Sequence, residues 1–103
     1  MITITIDRKR LCMEGHGHAK AGKNEYGHDL VCAAVSTLMQ AYCYAGRRTG
    51  HVMEYMMDKG SFLARIDPDA TASDELRHIF EGYVLGLQLV AENYPEHVRI
   101  TGA

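Results

Sequence analysis

The chain has 103 residues, a formal net charge of −2 and 23% charged residues. That length predicts one small domain over residues 1–103, with a modest core. The near-balanced charge, without a long Lys/Arg run, points away from nucleic-acid and membrane partners, and no apolar stretch is long enough to span a bilayer.

The N-terminus reads "MITITIDRKR". Ile2, Ile4 and Ile6 alternate with Thr3 and Thr5, the period of a half-buried strand and not of a signal peptide. A second strand is expected over about Arg10 to His16, after a turn at Arg8-Lys9. From Ala19 to His28 the chain is polar and carries Gly22 and Gly27, which reads as a loop.

A helix follows. Asp29 is placed to cap it, its carboxylate accepting bonds from free first-turn N–H groups. Val31, Ala34, Val35, Leu38, Ala41, Tyr42 and Ala45 recur at three and four and give it a buried face. Gly46 is the expected stop, and Arg47 and Arg48 suit the negative end of the helix. "HVMEYMMDKGSFLARI" reads as a hairpin, with strands over Val52–Met57 and Ser61–Ile66 and a turn at Asp58-Lys59-Gly60. A long helix is expected from about Ala72 to Asn93, with Asp74 and Glu75 in its first turn and Gly82 and Gly86 at close-packing positions. Val98 to Thr101 suits a short edge strand.

The order β-β-α-β-β-α(-β) predicts a small two-layer α+β domain, a mostly antiparallel sheet with two helices on one face. The third strand is apolar on both sides, with Met53, Tyr55 and Met57 on one and Val52 and Met56 on the other. That pattern favours a homodimer.

Cys12, Cys32 and Cys43 form an odd set with no CxxC spacing. This argues against a disulfide framework and for a reducing cytoplasm. Most cysteines in apolar helices are small core residues, and Cys12 and Cys43 are read that way. Cys32 differs. With Asp29 as cap it is the third helical residue, where the helix dipole and free N–H groups favour a thiolate. Gly27 lets the preceding loop pass close to that turn. A nucleophilic thiol needs a base, and His18 at the end of the second strand is the candidate. Ser36, one turn after Cys32, could line such a site, and Asp29 could orient His18.

His16, His18, His28 and Cys32 together could offer ligands to a metal, but their spacing is not a zinc signature. No metal or cofactor is expected. His51, His78 and His97 are read as surface residues. A non-catalytic binding module is the bland alternative to catalysis.

At "GHA" (Gly17 to Ala19) and "GHDLVCAAVS" (Gly27 to Ser36) the chain resembles the ribosomal-processing cysteine protease (Prp) family. The likeness extends more weakly through "MITITI", the second hairpin and "GLQLVAENYPEHVRI". The resemblance implies a small α/β fold, a bacterial cytoplasmic homodimer and an endopeptidase with histidine at His18 and nucleophile at Cys32. The implied partner is a protein substrate, the N-terminal extension of a large-subunit ribosomal protein. Gly22, Tyr26 and Gly27 fall in the loop that admits substrate in the family. That loop is slightly longer and more polar here, and Lys20-Ala21 stands where the family has an aromatic. A phage-type relative cleaving a capsid protein fits the same residues.

Overall fold

The computed structural model describes residues 1–17, 25–58 and 60–103, with residues 25–29 described by their backbone alone. Strands β1 (Ile2–Asp7) and β2 (Cys12–Gly17) form a hairpin. Helix α1 (Glu25–Arg48) leads to a second hairpin of β3 (Met53–Asp58) and β4 (Ser61–Ile66). Helix α2 (Asp74–Asn93) precedes the short β5 (Val98–Thr101). The expected element order holds throughout.

The sheet order is β3-β4-β2-β1-β5. All pairs are antiparallel except β1 with β5, which run parallel. Pairing of β2 with β4 joins the hairpins: Met13 faces Ala64 and Gly15 faces Phe62. One sheet face is therefore continuous and apolar. Ile2, Ile4 and Ile6 from β1, Met13 from β2, and Phe62, Ala64 and Ile66 from β4 are all buried. Both helices cover this face with Val31, Val35, Met39 and Tyr42 from α1 and Leu76, Phe80, Val84 and Leu87 from α2. Edge-on packing of Tyr42 against Phe80, with ring centroids 5.3 Å apart, joins the helices at their centre.

The first hairpin closes without an Asn-Gly turn. The Asp7 carboxylate instead accepts the N–H groups of Lys9 and Arg10, an Asx-type closure. Leu11 takes a left-handed φ of +48° and is buried. Its carbonyl accepts the Tyr42 hydroxyl at 2.7 Å, so turn and helix are bonded through the core.

Two expectations about helix boundaries need correction. Helix α1 begins at Glu25, so Asp29 is its fifth residue and not its cap. It also runs through Gly46 to Arg48. Gly46 is a packing position, where a Cβ would come within 2.5 Å of Met53 Sδ. The true stop is Gly50 at φ +85°. There His51 N–H bonds Gly46 O at 3.0 Å and Gly50 N–H bonds Arg47 O at 3.1 Å, a Schellman closure. Helix α2 is capped by Ser73, whose side chain accepts from Leu76 N–H, and Asp74 and Glu75 open it as expected. Gly86 packs against Leu38, whereas Gly82 has open space beside it.

His51, expected at the surface, instead links the two helix ends. Its Nδ1 lies 3.0 Å from Thr49 Oγ1 and its Nε2 lies 2.8 Å from Ser73 Oγ. The Lys59 position of the second turn lies outside the described residues. No helix among those described is long and apolar enough to cross a membrane.

Two measurements test this packing. Tyr42→Phe leaves the buried Leu11 carbonyl without its hydroxyl donor and lowers the unfolding free energy by about 1–3 kcal/mol, read from urea denaturation with an unchanged slope. The second concerns pH. Burial pushes the Cys12 thiol up from 9.0 to about 11, with Glu14 adding to the effect. Burial pushes Cys43 and Tyr42 up as well. Each group is held neutral in the fold and ionises more easily in the unfolded chain. Stability is therefore full below pH 9 and falls as pH rises from about 9 through 11. Urea midpoints across that range check the loss, which Cys12→Ala makes shallower.

Candidate active site

Helix α1 presents Cys32, Ala33 and Ser36 to the far end of the β3–β4 hairpin. With Met57, Asp58, Gly60 and Phe62 they line an open cavity of about 520 Å³. Cys32 is half-buried, packed against the core on one side and facing this cavity on the other. Cys12 and Cys43 are buried elsewhere, as expected of core thiols. Cys43 Sγ donates to the Glu54 carbonyl at 3.3 Å. None of the three cysteines is in a disulfide.

The expected partnership of Cys32 with Ser36 on one helix face is present, since both line the cavity. Ser36 Oγ lies 3.2 Å from Met57 Sδ and 3.4 Å from Tyr55 Oη. Gln40 Nε2 donates to Tyr55 Oη at 3.2 Å. These contacts tie the α1 face to β3 and hold the Met57 side chain as a wall of the cavity. Phe62 forms another part of the lining. It lies over Gly15, where a Cβ would approach its ring to 3.3 Å.

The expected placement of Cys32 in the opening turn of its helix is not what the structure has. Cys32 is the eighth residue of α1, about two turns inside. The helix dipole acts mainly over the first turn, and a mid-helix amide is engaged in the i→i−4 ladder. Helix-end stabilisation of a thiolate, and first-turn N–H groups as an oxyanion hole at Cys32, therefore drop out.

His18 and Gly22 lie outside the described residues. Tyr26, Gly27, His28 and Asp29 are placed by backbone only, within the first five residues of α1. What the structure does fix is the residue before His18. Gly17 ends β2 at φ +105°, and its N–H donates to the Gly60 carbonyl at 2.8 Å. Gly60 lines the Cys32 cavity. A Cβ at position 17 would collide with the Met1 carbonyl oxygen. Glycine is thus required at 17 both for its backbone angle and for the space it leaves.

Residue-level reading missed Gly60, Met57, Phe62 and the Tyr55–Gln40 pair. Gly60 alone carried a signal, as the glycine of the expected turn. Across the hairpin a second cavity of about 670 Å³ shares Met57, Asp58 and Phe62 with the first. Its opposite side carries His16, whose Nε2 lies 3.2 Å from Glu14 Oε1. Among the described residues no group of three or more His, Cys, Asp or Glu side chains is arranged to hold a metal ion.

The chain is similar to known proteins over nearly its whole length. The family model described as cysteine protease Prp matches residues 1–99. The ribosomal processing cysteine protease Prp of Staphylococcus aureus strain Mu50 is 32% identical over 103 residues, covering 96% of this chain and 92% of the relative. The protein of the same name from Bacillus subtilis is 29% identical, covering 98% and 96%. Among solved structures, SMU.848 from Streptococcus mutans superposes with a TM-score of 0.76 at 31% identity, over 97% of this chain and 90% of the other. The essential ribosomal processing protease Prp from S. aureus, in complex with a covalently linked product peptide, superposes with a TM-score of 0.73 at 29% identity, over 98% of both chains. With a family match over nearly the full length, and the fold and the thiol-bearing cavity in place, the chain belongs to the Prp family of cysteine proteases.

Proposed function

We propose that this protease removes the N-terminal extension of a large-subunit ribosomal protein, with Cys32 as nucleophile and His18 as its base and acid. The observation that carries this reading is the Gly17–Gly60 hydrogen bond. It fixes the residue before His18 to the wall of the Cys32 cavity, and consecutive Cα atoms stand about 3.8 Å apart.

The chemistry follows from those two side chains. The Cys32 thiol gives its proton to His18, and the sulfur attacks the scissile carbonyl carbon. The C–N bond breaks as His18 returns the proton to the departing amine, leaving a thioester on Cys32. Water, deprotonated by His18, then releases the acid and restores the thiol. Because Cys32 sits two turns inside α1, the imidazole carries the activation that a helix end would otherwise share.

Ser36 serves this site by holding Met57 in the cavity wall. Asp29 lies about one turn before Cys32 on α1 and is the candidate to orient His18. Gly22, Tyr26 and Gly27 belong to the segment that admits the substrate. The names of the relatives, ribosomal processing proteases, support the substrate class. The S. aureus structures with substrate and product peptides support a peptide lying against the site. Exposed Val52 and Met56, at and beside the edge strand β3, support a homodimer. A bacterial cytoplasmic setting accords with the ribosomal substrate and with cysteines that form no disulfide.

The test is cleavage of a peptide spanning the extension junction of the host's own ribosomal protein. Wild type cleaves it. Cys32→Ala loses at least about 10³-fold in kcat/KM, and His18→Ala loses about 10²–10⁴-fold. Cleavage by Cys32→Ala at the wild-type rate contradicts the assignment.

A further inference from the structure

The end of the sheet away from Cys32 holds a feature that the protease chemistry does not use. The first hairpin turn, the end of β4 and the first turn of α2 enclose a groove of about 520 Å³ lined by Lys9, Arg10, Arg65 and Arg77, with Asp67 as its one acid. These are four of the 11 Lys and Arg residues of a chain whose formal net charge is −2. They come from three distant parts of the sequence, so the fold and not a basic run gathers them.

Most of this charge is uncommitted. Arg65 is paired tightly, its Nε 2.8 Å from Glu54 Oε2. Arg10 reaches Asp7 only at 3.9 Å, from a largely exposed position. Lys9 and Arg77 make no ion pair with any of the described residues. The Asp67 carboxylate is turned to its own loop, where Oδ1 accepts the Asp69 N–H at 2.8 Å. Lys9 and Arg77 therefore face the groove without an ion pair among the described residues, and Arg10 with only a long one, which favours an anion there.

The rest of the lining narrows the class of anion. It is aliphatic or proline, with no aromatic ring and no histidine. Nothing there can stack on a base. Strand β4 lies between β3 and β2, so no free sheet edge is available to pair with a peptide backbone. Recognition is left to charge alone, which suits a polymer bearing an anion at every unit.

We infer that this groove is an RNA-backbone contact, independent of base sequence, which docks the protease on the RNA of the particle that carries its substrate. The inference rests on the ribosomal-protein reading given above. Along β4 the groove's Arg65 stands three residues, roughly 10 Å, from the cavity's Phe62, so RNA and peptide can be held side by side.

The experiment is anisotropy of a short, labelled single-stranded RNA of mixed sequence, titrated with the full chain at low salt. Wild type binds, and the slope of log Kd against log salt is about 2, as expected for three neutralised phosphates. Lys9→Glu with Arg77→Glu weakens binding about tenfold or more. The milder pair Lys9→Gln with Arg77→Gln weakens it less and guards against a folding defect. Both pairs cleave the short junction peptide at the wild-type rate. Absence of binding at low salt, equal binding by wild type and both pairs, or displacement by polyglutamate as effective as by unlabelled RNA overturns the inference. Failure of wild type to cleave the peptide would instead count against the proposed substrate and leave the RNA result standing on its own.

Discussion

One backbone hydrogen bond organises the active region of this domain. The Gly17 N–H reaches the Gly60 carbonyl because β2 ends there in a backbone conformation that side chains disfavour. That bond joins the last residue of the first hairpin to the turn of the second. It sets the position from which the chain continues to His18, and it completes one side of the cavity onto which Cys32 opens. The pairing of β2 with β4 leads up to it, and the close approach of Met1 to Gly17 makes any larger residue at that position a source of collision.

A second layer of contacts shapes the opposite wall. Ser36, Tyr55 and Gln40 form a chain of hydroxyl and amide contacts that ends on the Met57 sulfur. Such a chain ties α1 to β3 at the level of Cys32, while Tyr42 and the helix-end link through His51 hold the rest of the helical layer. The Cys32 sulfur is thus carried on a helix that is bonded to both the hairpin and the core. Its place two turns inside α1 separates two roles that are combined when a thiol caps a helix. The helix positions the sulfur, and in the proposed mechanism His18 draws off its proton.

Much of this was legible in the residues. The Ile2, Ile4, Ile6 alternation gave a strand whose inner face is buried, and the apolar stripes gave both helices. The pairing of Cys32 with Ser36 on one face followed from their four-residue spacing. The start of α1 did not. An aspartate such as Asp29 is favourable as a cap and equally favourable within the first turns, near the positive end of the helix, so residue type alone could not separate the two. Gly46 misled in a similar way. A glycine near a helix end signals a stop, yet here it makes room for Met53, a residue whose proximity only the tertiary fold creates. The roles of Met57 and Phe62 depend on register across the hairpin, which local pattern does not specify. The basic groove is the extreme case, since Lys9, Arg65 and Arg77 become neighbours only after the sheet and α2 are assembled.

The Cys32 cavity and the basic groove thus lie towards opposite ends of β4. In the proposed mechanism the Cys32 sulfur, facing the cavity bounded by Gly60 and Met57, carries the acyl group during peptide cleavage. The direct measurement is rapid acid quench of wild-type enzyme turning over the junction peptide, followed by intact-mass and fragment analysis. A mass increase equal to the N-terminal fragment of the peptide less water, mapped to Cys32, is the predicted result. Efficient cleavage with the adduct on another residue would contradict it.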